Sequence, residues 1–579
     1  MGKKSRLKQS KVLVETSDNP VTESVAQDAE NELQPQGLKA LLILTVLVLA
    51  CLVPFVGKAF NIDDTLFVWA AQHIAGHPLN PFGFDVNWEN STRPMWLVTQ
   101  NPPLASYYIA LIAGILGWSE ASLHAGFLLV ALAAILGTYV LALRFTRLPL
   151  LAAAATLLAP GFLVSGATVM CDTMMVAIFI FAVLFWLEGF DRGKPALLAV
   201  SALLIAVCAV TKYFGVALIP LLLAYSIFRQ KRYDNRVLYL LLPVALLAGY
   251  QYWTKSLYGL GLLGGAVRYA QSRDGFSLYK TLVGLSFAGG CALPALTFAP
   301  VIWSRRAILF VGAAATMGAT LVGVRILKVP VYSSAHHPFV LSLEMALFIA
   351  GGVGAIGLAV SDWRQRRDAA SFLLLMWVSG TWVFASFVNW SVNARSVLPM
   401  IPAVGILLAR RLESAEYATR RVRIARLVIP LVASGMVALW VTWADFSAAN
   451  TSRMAAQYVR DNITAPGGKV SFEGHWGFQY YMQAYKFEPL DVANFLVGNG
   501  DVLVVPSHNT GMQTIPRSYV SSMDTFEFPI RTGMTTMSLE WGSGFYSDNW
   551  GPLPYCAAPA RPEVYNVLHM KIPSEPNPK

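Results

Sequence analysis

Apolar runs long enough to cross a bilayer recur along this chain from Leu38 to Trp443, and that recurrence restricts the fold more than any other feature. A hydrocarbon core of roughly 30 Å needs about 20 apolar helical residues to cross it. Composition agrees: 55% of residues are hydrophobic and 13% charged, where about 25% would be charged in a soluble domain. The stretch after Trp443 is polar enough to fold in water. The expected fold class is therefore a polytopic α-helical membrane protein of about thirteen transmembrane helices with a small C-terminal α/β soluble domain.

Spans are expected at 38–57, 122–143, 148–165, 172–188, 196–211, 213–228, 237–253, 281–303, 307–325, 338–360, 370–389, 396–409 and 427–443. The run 104–117 is too short for a comfortable crossing and reads as re-entrant or interfacial. Lys and Arg concentrate on the cytoplasmic side of membrane proteins, and the first residues carry Lys3, Lys4, Arg6, Lys8 and Lys11. With the N-terminus inside, Arg229, Lys231, Arg232, Arg236 and the basic cluster from Arg410 to Arg426 also fall inside. The organisation that follows is a cytoplasmic basic tail (1–37), a membrane domain (38–443) holding an external loop with interfacial helices (58–121), and an external domain (444–579).

The formal net charge of +11 reads as this topological bias plus attraction to anionic lipid, with no nucleic-acid module behind it. The first apolar run lacks a small-residue cleavage site and reads as an uncleaved anchor. Cys51, Cys171, Cys208 and Cys291 lie in or beside spans and Cys556 stands alone in the soluble part, so no disulfide framework is expected. Zinc-protease, P-loop and dinucleotide motifs are absent, as is an internal repeat that would favour a secondary transporter.

The external loop is the richest segment. The acidic pair Asp63-Asp64 follows the first span, at a membrane face within reach of a lipid head group. Residues 65–77 fit a helix lying along the bilayer, with Phe67, Ala70, Ala71 and Ile74 on one face. Asp85, Trp88, Glu89, Arg93, Trp96 and the run Asn101-Pro102-Pro103 follow, a mixture of acidic, polar and aromatic residues suited to a sugar. Asp85 and Glu89 offer oxygen ligands to a divalent cation, but their spacing specifies no metal site, and no cofactor is expected. His336-His337 precedes a later span as a candidate substrate or metal contact.

The order of an acidic pair after the first span, an interfacial helix, NPPLASYY and an Asp opening a later span resembles the GT-C glycosyltransferases. It is most similar to the family-39-like enzymes that include protein O-mannosyltransferases and the aminoarabinose transferase acting on lipid A. The resemblance continues through Cys171-Asp172-Thr173, Thr211-Lys212 and the run Asn393 to Pro402. It implies transfer from a polyprenyl-phosphate sugar at the external face, with Asp63 in the catalytic position and Asp64 where the family carries Glu. Asn101 stands where the family has a histidine, which leaves an amide as the candidate substrate contact. Lys212 and Arg395 are implied to face the lipid phosphate, a role that needs cations to stabilise leaving-group charge. Arg93 is a further candidate phosphate contact, and Asp64, beside Asp63 in the catalytic pair, and Asp172 are candidates for orienting sugar or the cations.

These residues also have plain structural readings. Asp63 and Asp64 can end a helix, Asp172 can cap one, and Lys212 and Arg395 can snorkel from span ends. In the soluble part, Lys469–Phe472 and Asp501–Val505 read as strands around a helix near Phe478–Ala484. His475, Trp476 and Trp550 are buried structural aromatics or sugar contacts. The activity expected is inverting transfer of a monosaccharide from polyprenyl phosphate to a hydroxyl of a protein, lipid or glycan, at the periplasmic face of a bacterial inner membrane. The alternatives are a flippase or transporter of a lipid-linked sugar and a noncatalytic envelope scaffold.

Overall fold

A computed structural model describes residues 37–88, 90–231, 234–271, 276–323, 337–413, 420–494 and 498–572. The basic tail before Gly37, Glu89 and His336 lie outside the described residues. Among the described residues nine helices are long and apolar enough to cross a membrane, beginning with α1 (Gly37–Phe55). The chain is a multi-pass integral membrane protein. Lipid-facing positions such as Leu42, Phe310 and Ile429 are more than half exposed, while Trp186, Phe162 and Trp377 are buried in one continuous core.

The segments expected at 148–165, 196–211, 281–303 and 396–409 differ from straight spans, and proline explains three of them. Proline removes a helical N–H and pushes its predecessor toward extended backbone. Ala159 accordingly adopts φ −90° and ψ 132°, and the helices Pro149–Leu157 and Pro160–Gly166 meet at a 65° bend. The helix Leu278–Cys291 gives way to short turns at Pro294–Thr297 and Ala299–Ile302. The last breaks into Ala394–Val397, a 3-10 turn through Pro399, and Ile401–Glu413. Such irregular backbone is tolerated where protein surrounds it, and Leu163, Val397 and Leu398 are fully buried. The expected span at 196–211 is a 17-residue apolar helix, α4 (Pro195–Thr211). Packed against α4 runs α3 (Cys171–Arg192), which starts at the end of the bundle where α4 finishes. Residues Leu104–Leu116 form a helix of 13 residues, too short to cross, as its length implied.

The loop after α1 forms α2 (Asp64–Gly76) and a hairpin of β1 (Asp85–Trp88) and β2 (Ser91–Pro94). All four apolar residues expected on one face of the loop helix are buried. Beyond the expected span at 427–443 the helix does not stop: α5 (Arg420–Asn462) runs for 43 residues into the C-terminal region. There β3 (Val470–Phe472), α6 (Trp476–Ala484), β4 (Glu488–Pro489), β5 (Val502–Pro506), β6 (Val520–Phe528) and β7 (Glu563–Met570) follow. Their sheet has the order β4-β3-β5-β7-β6, parallel about β3 and antiparallel about β7. Ala455, Ala456 and Val459 of α5 pack with Phe472 and Phe478, joining sheet and helix in one core.

The hairpin is fastened to this region. Asn87 donates to the Leu490 carbonyl at 3.0 Å, Asn90 donates to Glu473 at 2.8 Å, and Trp88 stacks on His475 at 5.3 Å. Not all of 444–579 joins the α/β layer, however. Met534, Phe545, Tyr546, Leu553, Tyr555 and Cys556 are buried in the core of the spans. Cys556 is thus one of five free buried thiols rather than a lone cysteine of a soluble domain.

Candidate active site

A tight turn delivers Asp63. Ile62 takes φ 49°, a region costly for a β-branched residue and often retained where function needs it. The turn is clamped by Asp64, which is fully buried. One Asp64 carboxylate oxygen accepts from Asn61 N at 3.0 Å, and the other accepts from Val169 N at 2.8 Å, just before α3. Burial pushes its carboxyl up to about 6, against the opposing pull of Lys58 and the two N–H groups. The pair therefore divides: Asp64 fixes backbone and has no open face for substrate, while the Asp63 side chain is 26% exposed.

Asp63 points at Arg395. One guanidinium nitrogen donates to its carboxylate at 2.8 Å and lies 4.0 Å from Asp172. Asp172, in the first turn of α3, is buried and paired with Lys212 at the C-terminal end of α4. Arg395 stands in the short helix Ala394–Val397, whose N-cap Asn393 accepts from Ser396 N at 2.9 Å. The antiparallel packing of α3 and α4 brings Asp172 and Lys212 together, and the broken span at Pro399 brings Arg395 to the same end. The result is an alternating row, Asp63, Arg395, Asp172, Lys212. Burial acts to lower the Arg395 pKa, but Asp63 and then Asp172 outweigh it and hold the charge firmly. Among the described residues, Arg395 Nε and one Asp172 oxygen are buried without a hydrogen-bond partner.

Of the other sequence candidates, Asn101 joins the site's edge through Cys171 Sγ, 3.7 Å from its side-chain oxygen. Arg93 does not join the row: it is exposed on β2, opposite Val86. His337 stacks on Trp541 at 3.9 Å and approaches Glu540 at 3.8 Å, again outside the row. Asp85 is exposed at the start of β1. Among the described residues no group of three His, Cys, Asp or Glu is placed to hold a metal.

Three neighbours escape a linear reading. Lys58 and Asp445, 1% and 2% exposed, form a buried ion pair between the end of α1 and the middle of α5. Asp445 also accepts from Tyr546 Oη at 3.0 Å and Thr536 Oγ1 at 3.3 Å. The Tyr546 ring in turn lies under the Arg395 guanidinium, 5.5 Å from its centroid. A lysine closing an apolar run reads as an interfacial charge, and nothing local in the sequence singles out Asp445 or Tyr546.

Two cavities are lined by sequence neighbours of this row. One of about 370 Å³ lies between Trp96–Gln100 and Leu262–Arg268 and is lined by Tyr213, the residue after Lys212. The other, about 220 Å³, reaches from Asn61, Ile62 and Asp445 to Trp476, Trp550 and Asn509.

A family described as dolichyl-phosphate-mannose-protein mannosyltransferase matches residues 100–253, the stretch that carries Asn101, Asp172 and Lys212. The oligosaccharyltransferase of Archaeoglobus fulgidus, solved tethered to an acceptor peptide, superposes with a TM-score of 0.50 at 15% identity. That match covers 79% of this chain and 64% of the other, so the chain spans about two thirds of that enzyme's length. The chain shares that enzyme's fold. Archaeal AglB from A. fulgidus, in complex with an inhibitory peptide and dolichol-phosphate, matches at 12% identity and TM-score 0.48 over 81% of this chain and 69% of that one. ArnT from Cupriavidus metallidurans bound to undecaprenyl phosphate matches at 14% identity and TM-score 0.44, over 82% and 93%. No curated protein matches the sequence.

Proposed function

We propose that this GT-C protein transfers a monosaccharide, with inversion, from a polyprenyl-phosphate donor to an acceptor hydroxyl. The observation that carries the reading is the Asp63–Arg395–Asp172–Lys212 row at one end of the bundle, with a buried guanidinium N–H left unpartnered. A phosphate set between Lys212 and Arg395 would engage donors that the carboxylates now occupy, and Arg presents five N–H groups to share among them. Asp63 then takes the proton of the acceptor hydroxyl as its oxygen bonds to the anomeric carbon. The anomeric C–O bond breaks with its electron pair going to the phosphate, whose growing charge the two cations stabilise. Asp64 and Asp172 hold base and cations in place.

The cavity beside Tyr213 suits the donor's first isoprene units, and the one between Ile62 and Trp476 suits a polar acceptor. The row lies at the external, periplasmic face of a bacterial inner membrane if the basic end of the bundle is cytoplasmic. Labelled undecaprenyl-phosphate sugars offered to the protein in liposomes test the reading. Bond transfer with release of undecaprenyl phosphate supports it. Movement of intact donor across the bilayer would mark a flippase, and neither event a scaffold.

A further inference from the structure

The segment between β6 and β7 leaves the sheet and enters the span core as a strap. Thr535 and Cys556 exchange backbone bonds of 2.9 Å at its neck, and Met537–Ser538 pairs with Ser543–Gly544 inside it. Its fold leaves no slack: a Cβ on Gly544 would lie 2.1 Å from the Ser547 carbonyl oxygen, and one on Gly551 would lie 1.8 Å from Gly542. The strap is stitched to the backbone around Arg395. Ala394 N donates to Phe545 O at 2.9 Å, Asp548 N donates to Val392 O at 2.8 Å, and Val392 N donates to the Asp548 carboxylate at 3.0 Å. Further down, Tyr555 Oη donates to Gly290 O at 2.9 Å.

Tyr546 sits where these contacts converge. It is 4% exposed, with its ring face toward the Arg395 guanidinium and its hydroxyl donating to Asp445, the partner of Lys58. Burial and the Asp445 carboxylate keep that hydroxyl protonated, so it remains a donor. Arg395 is otherwise held by Asp63, by Met170 Sδ at 3.1 Å and, at 4.0 Å, by Asp172.

We propose that this C-terminal strap is part of the reaction centre, and that Tyr546 is a positioning residue that holds Arg395 at the height of Asp63 for the donor phosphate. The role in phosphate binding rests on the function proposed above; the positioning of Arg395 does not. A guanidinium on an aromatic face stays charged and keeps its edge N–H groups free for an anion, which a second carboxylate in the same place would not allow.

Undecaprenyl phosphate, titrated onto the full-length protein in detergent, is the probe. Tyr546→Leu weakens its binding roughly tenfold, the scale of one desolvated cation–π contact, while Tyr546→Phe, which keeps the ring, binds within about twofold of wild type. Leu503→Ala, in an apolar cluster of the sheet separate from the span core, leaves affinity unchanged even if it lowers thermal stability. Equal affinity for Tyr546→Leu and wild type overturns the proposal. A second readout needs no lipid: Tyr546→Phe and Tyr546→Leu both lose the bond to Asp445, and the gap between their unfolding temperatures is larger in the wild-type background than in Arg395→Leu. Additive shifts there overturn the positioning role. If wild type fails to bind undecaprenyl phosphate, the donor reading falls, and the thermal coupling alone decides the role of Tyr546.

Discussion

Lys58 and Asp445 offer a stability prediction whose size follows from burial. Both side chains are almost wholly removed from solvent, so the pair is weak evidence of net stabilisation, yet either partner alone is a liability. Lys58→Met strands the Asp445 carboxylate with only the Tyr546 and Thr536 hydroxyls as donors, and breaking a buried pair in this way costs about 3–5 kcal/mol. Asp445→Leu strands the ammonium at a similar cost of about 3–5 kcal/mol. Replacing both removes the uncompensated charge, and the remaining defect is the Tyr546 hydroxyl and, more weakly, the Thr536 hydroxyl without their acceptor, about 1–3 kcal/mol. The double mutant is therefore more stable than either single one. Unfolding by SDS titration in mixed micelles measures all four proteins, and a coupling above about 2 kcal/mol is expected. Single-mutant effects that add to within about 0.5 kcal/mol would show that the two charges do not depend on each other, refuting the argument.

Further outcomes follow from the row and its clamp. Asp64 has its folded pKa raised to about 6, so its contribution to stability is full below the unfolded carboxylate value and is lost as pH rises toward 6. The unfolding temperature of Asp64→Asn relative to wild type accordingly increases between pH 4 and 6 and then levels, about as the buried charge develops; a difference that is flat with pH contradicts this. Lys212→Met weakens undecaprenyl-phosphate binding by about tenfold or more and leaves Asp172 with the more distant Arg395, while Lys212→Arg retains most of the affinity. Equal loss in both would point to the pair's packing rather than its charge.

The convergence of Asp63, Asp172, Lys212 and Arg395 was legible because each stands at a span end on one face of an alternating topology, so counting crossings places them together. The strands β3 and β5 and the helix α6 were legible from short apolar runs separated by turns. What did not show was whatever depends on contacts across hundreds of residues. Asp64 looked like a residue that would orient sugar or a cation, since nothing local reveals that Val169 N would find it. Arg93 and His337 carried suitable charge and ring chemistry, but the hairpin and Trp541 hold them elsewhere. The strap was the largest omission: its polarity suggested an aqueous domain, whereas its glycines let it fold closely enough to pack among the spans. Breaks at Pro160 and Pro399 were visible as residues, but apolarity alone made those segments look like continuous helices.

The proposed chemistry depends on Asp63 as the base, and the decisive measurement is single-turnover transfer from a labelled undecaprenyl-phosphate sugar by Asp63→Asn. The variant is expected to insert, to bind undecaprenyl phosphate about as well as wild type, and to transfer about 10²- to 10⁴-fold more slowly. Transfer at the wild-type rate would contradict it.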